Sequence, residues 1–118
     1  MAPRSQLEIT TASVQRLVKE EASYHRELEQ QKERIQKLEA QDPSADENRE
    51  YMLNQERLAL EETKRIFPSL KQKIEEAIAK LNGQLIEEGK KGAESNVAHI
   101  TAAKEAIASA RVAEREIA

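Results

Sequence analysis

Residues 7–38 read LEITTASVQRLVKEEASYHRELEQQKERIQKL, and one row of side chains recurs in this stretch at alternating intervals of three and four. The row comprises Leu7, Thr10, Val14, Leu17, Glu21, Tyr24, Leu28, Gln31, Ile35 and Leu38. A mainly apolar row that repeats every seven residues lies along one face of a long helix and packs against other helices. The stretch therefore predicts a long α-helix that is buried along one side.

Two further rows follow towards the C-terminus, each after a break. The second row, which comes after residues 41–44 (QDPS), comprises Leu53, Glu56, Leu60, Thr63, Phe67, Leu70, Ile74, Ala77 and Leu81. The third row, which comes after residues 89–92 (GKKG), comprises Val97, Ile100, Ala103, Ile107, Ala110 and Ile117. Proline disfavours helical geometry in the residue before it, and glycine commonly ends a helix, so both breaks predict turns.

These signals predict one domain over residues 1–118, with helices at about 5–40, 46–88 and 94–116 and frayed termini. Ser5 and Glu8 have the spacing of a capping box for the first helix, and either Ser44 or Asp46 can cap the second. Asn82-Gly83 is a competing stop signal, but the apolar spacing continues across it, which favours a continuous second helix.

Short connections between long helices predict an all-α fold, an antiparallel up-down-up three-helix bundle with shallow left-handed packing. Pro68 lies in the middle of the second helix and is expected to kink it, because proline has no N–H for the carbonyl of Lys64 and its ring clashes with that turn. The kink serves either to wrap the second helix around the bundle or to shape a functional surface. An intermolecular coiled coil is the alternative fold.

The composition of the chain limits the range of functions that it can have. Charged residues make up 35% of the chain, and Lys and Arg are interleaved with Asp and Glu along every segment, so no basic stripe is present to neutralise phosphates. Aromatic residues make up 3%, which leaves few rings for base stacking, and nucleic-acid binding is not expected. No apolar run approaches the length of a membrane span, and the N-terminus has no signal-peptide pattern, so we expect a cytosolic protein.

Catalytic motifs are absent from the sequence, which favours a binding scaffold over an enzyme. Glu21, His25 and Glu29 form a ladder on one helix face, but three ligands without an enclosing shell do not predict a metal site. His99 has no acidic residue at helical spacing and is expected to be an ordinary surface histidine.

Four polar residues interrupt the apolar rows and either fix helix register or mark a groove left open for a partner. They are Glu21, Gln31, Glu56 and Thr63.

Two segments resemble the tubulin-specific chaperone A family, also called tubulin-binding cofactor A. The first is Arg16-Leu17-Val18-Lys19-Glu20, and the second is Gln55 followed by Leu60-x-Glu62-Thr63-Lys64-x-x-x-Pro68. The resemblance covers about residues 7–81. It implies a three-helix bundle with a proline-kinked second helix, without nucleotide or metal cofactors, which binds its partner through the helical faces.

The resemblance also implies a function. Proteins of this family are cytosolic, cytoskeleton-associated chaperones that capture β-tubulin released from the cytosolic chaperonin and hold it until other tubulin-folding cofactors assemble the αβ heterodimer. The residues expected to contact β-tubulin lie on two helices: Arg16, Lys19 and Glu20 on the first, and Glu61, Glu62, Lys64 and Arg65 on the second. A self-associating coiled-coil tether or assembly subunit is the alternative function, and both monomer and homodimer are compatible with the sequence.

Overall fold

A computed structural model describes residues 4–44 and 46–117, in which three α-helices pack against one another and no strand occurs. Helix α1 spans Gln6–Ala40, α2 spans Arg49–Gly89 and α3 spans Val97–Glu116, with one 3-10 turn at Gly92–Glu94. The all-α fold and the three-helix bundle are confirmed. The left-handed crossing and the kink at Pro68 stay predictions.

The predicted capping box begins α1. The backbone N–H of Glu8 donates to the Ser5 hydroxyl at 3.2 Å, and the Ser5 N–H donates to Glu8 Oε1 at 3.1 Å. The backbone hydrogen bond from Ser5 lowers the pKa of the Glu8 carboxyl. These reciprocal bonds satisfy two N–H groups that have no partner inside the helix.

The second helix begins at Arg49, three residues after the predicted start, because both candidate caps take part in turns instead. The Ser44 N–H donates to Asp42 Oδ1 at 3.0 Å, and the Asn48 N–H donates to Asp46 Oδ1 at 2.8 Å. The Arg49 guanidinium then closes the end of α1, donating to the Leu38 carbonyl at 2.7 Å. Ala45, between the candidate caps, lies outside the described residues.

Helix α2 runs without interruption through Pro68, which is exposed, and through Asn82-Gly83. Gly92 follows it with a φ of 59°, a backbone conformation that suits glycine. This turn places the start of α3 at Val97, three residues after the predicted start. The Asn96 side chain caps α3 by accepting from the His99 N–H at 3.0 Å.

The core lies between the three helices. Its buried residues come from the predicted rows, from Ile78 of α2 and from α3 alanines that let the helices approach closely; they are Leu7, Val14, Phe67, Leu70, Ile74, Ile78, Leu81, Ala103, Ala106, Ile107, Ala110, Ala113 and Ile117. His99 of α3 approaches Glu8 of α1 at 3.6 Å, while Arg34 of α1 pairs with Glu56 of α2 at 3.2 Å. These contacts place the N-terminal ends of α1 and α3 together and α2 antiparallel to both.

The helices differ in length, so the bundle has a two-helix extension. With 20 residues, α3 is about 30 Å long, whereas α1 with 35 residues and α2 with 41 reach about 52 and 62 Å. Glu116 and Ile117, at the end of α3, share a cavity with residues near Lys32 of α1 and Lys64 of α2. Beyond that point, residues 33–44 and 46–60 form what we call the arm, and the described chain measures 72 × 29 × 17 Å.

Candidate partner-binding surface

The structure places all seven predicted contact residues on exposed helical surface, in two separate groups. Arg16, Lys19 and Glu20 lie near the middle of α1. The second group on α2 lies opposite a different part of α1, because Lys64 shares a cavity with Glu29 and Lys32. Ten residues of helix separate Lys19 from Glu29, so the two groups lie about 15 Å apart along the bundle axis.

The α1 group does not form one compact patch. Lys19 lines a groove between α1 and α3, together with Glu105 and Ser109. Glu20 is the next residue along, about 100° around the helix from Lys19, and so faces away from that groove. Within residues 4–44 and 46–117, no ion pair includes Arg16, Lys19 or Glu20.

Within the α2 group, Lys64 borders a cavity of about 400 Å³ at the end of α3. Lys64 and Pro68 line this cavity, and the buried side chains of Phe67 and Ile117 form part of its floor. Lys64 Nζ lies 3.5 Å from Glu61 Oε1, but both side chains are half exposed and such pairs contribute little stability. The cavity therefore combines an apolar floor with charged residues at its edge.

The four polar residues in the apolar rows have different surroundings. Thr63 is buried and donates to the Ala59 carbonyl at 3.0 Å, and Glu56 pairs with Arg34. Glu21 and Gln31 are 5% and 3% exposed, and each has a buried Oε1 without a hydrogen-bond partner. Because Glu21, Gln31 and Thr63 are buried, only Glu56 borders an open groove.

The histidines both approach carboxylates. His25 Nδ1 lies 3.6 Å from Glu21 Oε1 on the same helix, whereas His99 meets Glu8 across the interface with α1, a partner that spacing along one helix cannot reveal. Among the described residues, no three His, Asp or Glu side chains are grouped closely enough to hold a metal ion. No helix in this part of the chain has an apolar stretch long enough to cross a membrane.

A second groove, which sequence reasoning missed, lies on the arm and is here called the arm groove. It has a volume of about 370 Å³ and is lined by Arg34, Lys37, Leu38, Tyr51, Met52, Gln55 and Glu56. A secondary row on α2 could have revealed it, since Tyr51, Gln55 and Leu58 have intervals of four and three outside the main row.

The arm groove and the cavity at the end of α3 lie on opposite sides of the α1–α2 pair. Leu38 lines the groove and Glu29 the cavity, and nine residues separate them along α1. On α2, Gln55 lines the groove and Lys64 the cavity, and they are also nine residues apart. Nine residues are two and a half helical turns, which points the two side chains in opposite directions. The arm groove therefore lies on the side away from α3.

Three long helices with a thin core and exposed faces of mixed charge define the class of small, elongated helical bundles. Comparison with known proteins narrows this class. The sequence profile described as tubulin binding cofactor A matches residues 2–107. The chain is 41% identical over 76 residues to tubulin-specific chaperone A of Saccharomyces cerevisiae, which covers 64% of this chain and 67% of that protein. It is 33% identical over 85 residues to the Rattus norvegicus protein of the same name, covering 72% and 73%.

The chain belongs to the tubulin binding cofactor A family. The resemblance seen in its sequence is thus confirmed. No solved structure is significantly similar to this one.

Proposed function

We propose that this chain is a non-catalytic tubulin-folding cofactor of the cytoplasm. It captures β-tubulin after release from the cytosolic chaperonin and holds it until other cofactors assemble the αβ heterodimer. Membership of a family whose relatives are named tubulin-specific chaperone A is the observation that carries this proposal. The chain acts as a single domain and associates with the cytoskeleton through β-tubulin.

The mechanism is complementarity of shape and charge. An elongated body 72 Å long offers a large area along its helices, and cofactor chemistry has no part in binding. Both predicted contact groups mix acidic and basic side chains, and such groups determine partner choice and association rate more than affinity. Because the two groups lie about 15 Å apart, β-tubulin contacts the bundle at two positions along its axis.

Co-elution with β-tubulin on gel filtration at moderate salt tests the proposed function. The expected result is a complex that elutes ahead of both proteins. Failure to form it, while β-tubulin still binds its other known partners, would contradict the proposal. The assay distinguishes a chaperone from a self-associating tether, because a tether gives oligomers of this chain alone.

A pair of matched variants tests the α1 contact group. The triple variant R16A/K19A/E20A is expected to weaken the complex, because it removes three exposed charged side chains from the proposed interface. The triple variant E76A/K104A/R111A removes the same charges from exposed positions of α2 and α3 outside both contact groups and is the control. Equal losses in both triples would show that the α1 group has no special part in binding.

A further inference from the structure

Helix α2 presents a second apolar row that no helix of this structure covers. The side chains of Tyr51 and Leu58 are 66% and 60% exposed, and they lie seven residues apart, on the same face two turns along. Single exposed apolar side chains are common on protein surfaces. Here Tyr51 lines the arm groove itself, and Leu58 lies on the same face of α2, one turn beyond Gln55 of the groove lining.

The arm groove gives this row a defined shape. Leu38 and Met52 are half-buried and, with the ring of Tyr51, supply its apolar lining between two antiparallel helices. The groove lies on the side of the arm away from α3. A groove between two helices takes an amphipathic helix, which places apolar side chains at intervals of three and four along it.

Charge distinguishes the two edges of the groove. On the α1 edge, Arg34 is paired with Glu56 at 3.2 Å, whereas Lys37 takes part in none of the ion pairs formed within residues 4–44 and 46–117. The α1 edge therefore carries Lys37 as a positive charge without an ion-pair partner among the described residues. On the α2 face, Glu62 continues the row of Tyr51 and Leu58 and adds a negative charge at its far end.

We propose that the arm groove and the exposed row of Tyr51 and Leu58 form a docking site for an amphipathic helix of β-tubulin. The apolar face of that helix packs on Tyr51, Met52 and Leu58, and a carboxylate at its edge pairs with Lys37. This inference rests on the proposed function for the identity of the partner. It adds a contact on the arm to the two groups of residues that the sequence indicates.

Substitution of Leu58 tests the apolar contact, with β-tubulin as the probe in sedimentation binding. L58S is expected to weaken binding about tenfold, since burial of a central apolar anchor contributes at least that much. The matched control is I86S, because Ile86 lies on the same helix with 62% exposure but outside the arm. Y51S is expected to behave like L58S. Equal binding by L58S, I86S and the unaltered chain would overturn the inference.

Substitution of Lys37 tests the polar contact. K37E places a negative charge opposite the proposed carboxylate and is expected to weaken binding at least tenfold, whereas K37R retains the charge and is expected to bind as the unaltered chain does. K80E makes the same change at an exposed position of α2 outside the arm and is the control. Tighter binding by K37E would show that the groove faces a basic segment.

The absence of cysteine allows a direct test of the occupant. A photoreactive group attached to the single thiol of Leu58→Cys is expected to cross-link to one helical segment of β-tubulin that carries acidic residues. A cross-link to a strand or to a basic segment would overturn the inference while leaving the proposed function intact. If the unaltered chain does not bind β-tubulin, the proposed function and this inference both fail.

Discussion

Glu21 is the residue whose position departs most from ordinary core chemistry. Its carboxyl lies in the buried row of α1, with His25 at 3.6 Å. Burial raises the pKa of this carboxyl above the ordinary value of 4.5, His25 opposes that shift, and Glu116 adds to it. A buried carboxylate without full hydrogen bonding destabilises the folded chain at neutral pH.

Glu21→Gln is therefore expected to stabilise the fold at pH 7 by about 1 kcal/mol, since it removes the charge and preserves the shape. A carboxyl whose pKa is raised on folding binds its proton more tightly in the folded state, so its ionisation costs stability as the pH rises through the folded pKa. The difference in free energy of unfolding between variant and unaltered chain should disappear below pH 4.5. Urea unfolding at several pH values measures it, and a constant difference would contradict this explanation.

The buried side of each helix could be predicted from the sequence almost residue by residue. The rows of α1 and α2 are buried or half-buried throughout. Val97 was wrongly placed in the α3 core row and is 73% exposed, because it is the first residue of α3, at the end of the bundle. Ala106 and Ala113 are buried but were not predicted, since a single methyl group gives a weak periodic signal.

Ala110 tests how closely α3 packs. Its side chain is fully buried, so Ala110→Leu is expected to destabilise the fold by about 1–3 kcal/mol through overpacking. Ala108→Leu makes the same change at an exposed position of the same helix and should alter stability by less than about 0.5 kcal/mol. Thermal unfolding of the two variants measures the contrast, and equal effects would mean that α3 packs loosely.

At the scale of the helices, two glycines allow the interior of a helix to be compared with a turn. A Cβ on either Gly83 or Gly92 meets no atom within 4 Å, but Gly83 lies inside α2 whereas Gly92 has a φ of 59°. Gly83→Ala is expected to raise stability by about 1 kcal/mol, and Gly92→Ala to lower it by a similar amount. Melting temperatures that shift in the same direction for both variants would contradict these backbone assignments.

Pro68 lies in the interior of α2 and leaves the Lys64 carbonyl without its helical donor. Its ring is exposed, so Pro68→Ala removes no core contact and is expected to stabilise the helix by up to about 3 kcal/mol. Calorimetry measures this change. A loss of stability would indicate that the packing of Phe67 and Leu70 depends on the predicted kink. If the variant is more stable but binds β-tubulin less tightly, the kink contributes to β-tubulin binding.

Helix ends were less predictable than helix faces. Ser44 and Asp46 have the right chemistry for caps, but each is engaged in a turn whose hydrogen bonds are local to the connection. Arg49, by contrast, closes the end of α1 through a contact between helices. Such contacts depend on how the chain folds back, which residue types alone do not specify. The arm groove was missed for the same reason, since it requires two helices in register.

The whole molecule is far from spherical. Its radius of gyration over Cα atoms is 20.5 Å, against about 13 Å for a compact chain of this length. The cause is the unequal length of the helices, since α3 covers the α1–α2 pair only as far as the cavity at its end. The arm beyond that cavity consists of α1 and α2 only, so both faces of this helix pair are available to a partner.

Sedimentation of the pure chain, alone and mixed with β-tubulin, tests the proposed chaperone function most directly. Alone, the chain should sediment as an elongated species. If that species is a monomer, its unfolding is independent of protein concentration. With β-tubulin, a faster boundary containing both proteins in stoichiometric amounts is expected. Unchanged boundaries for both proteins in the mixture would contradict the proposed function.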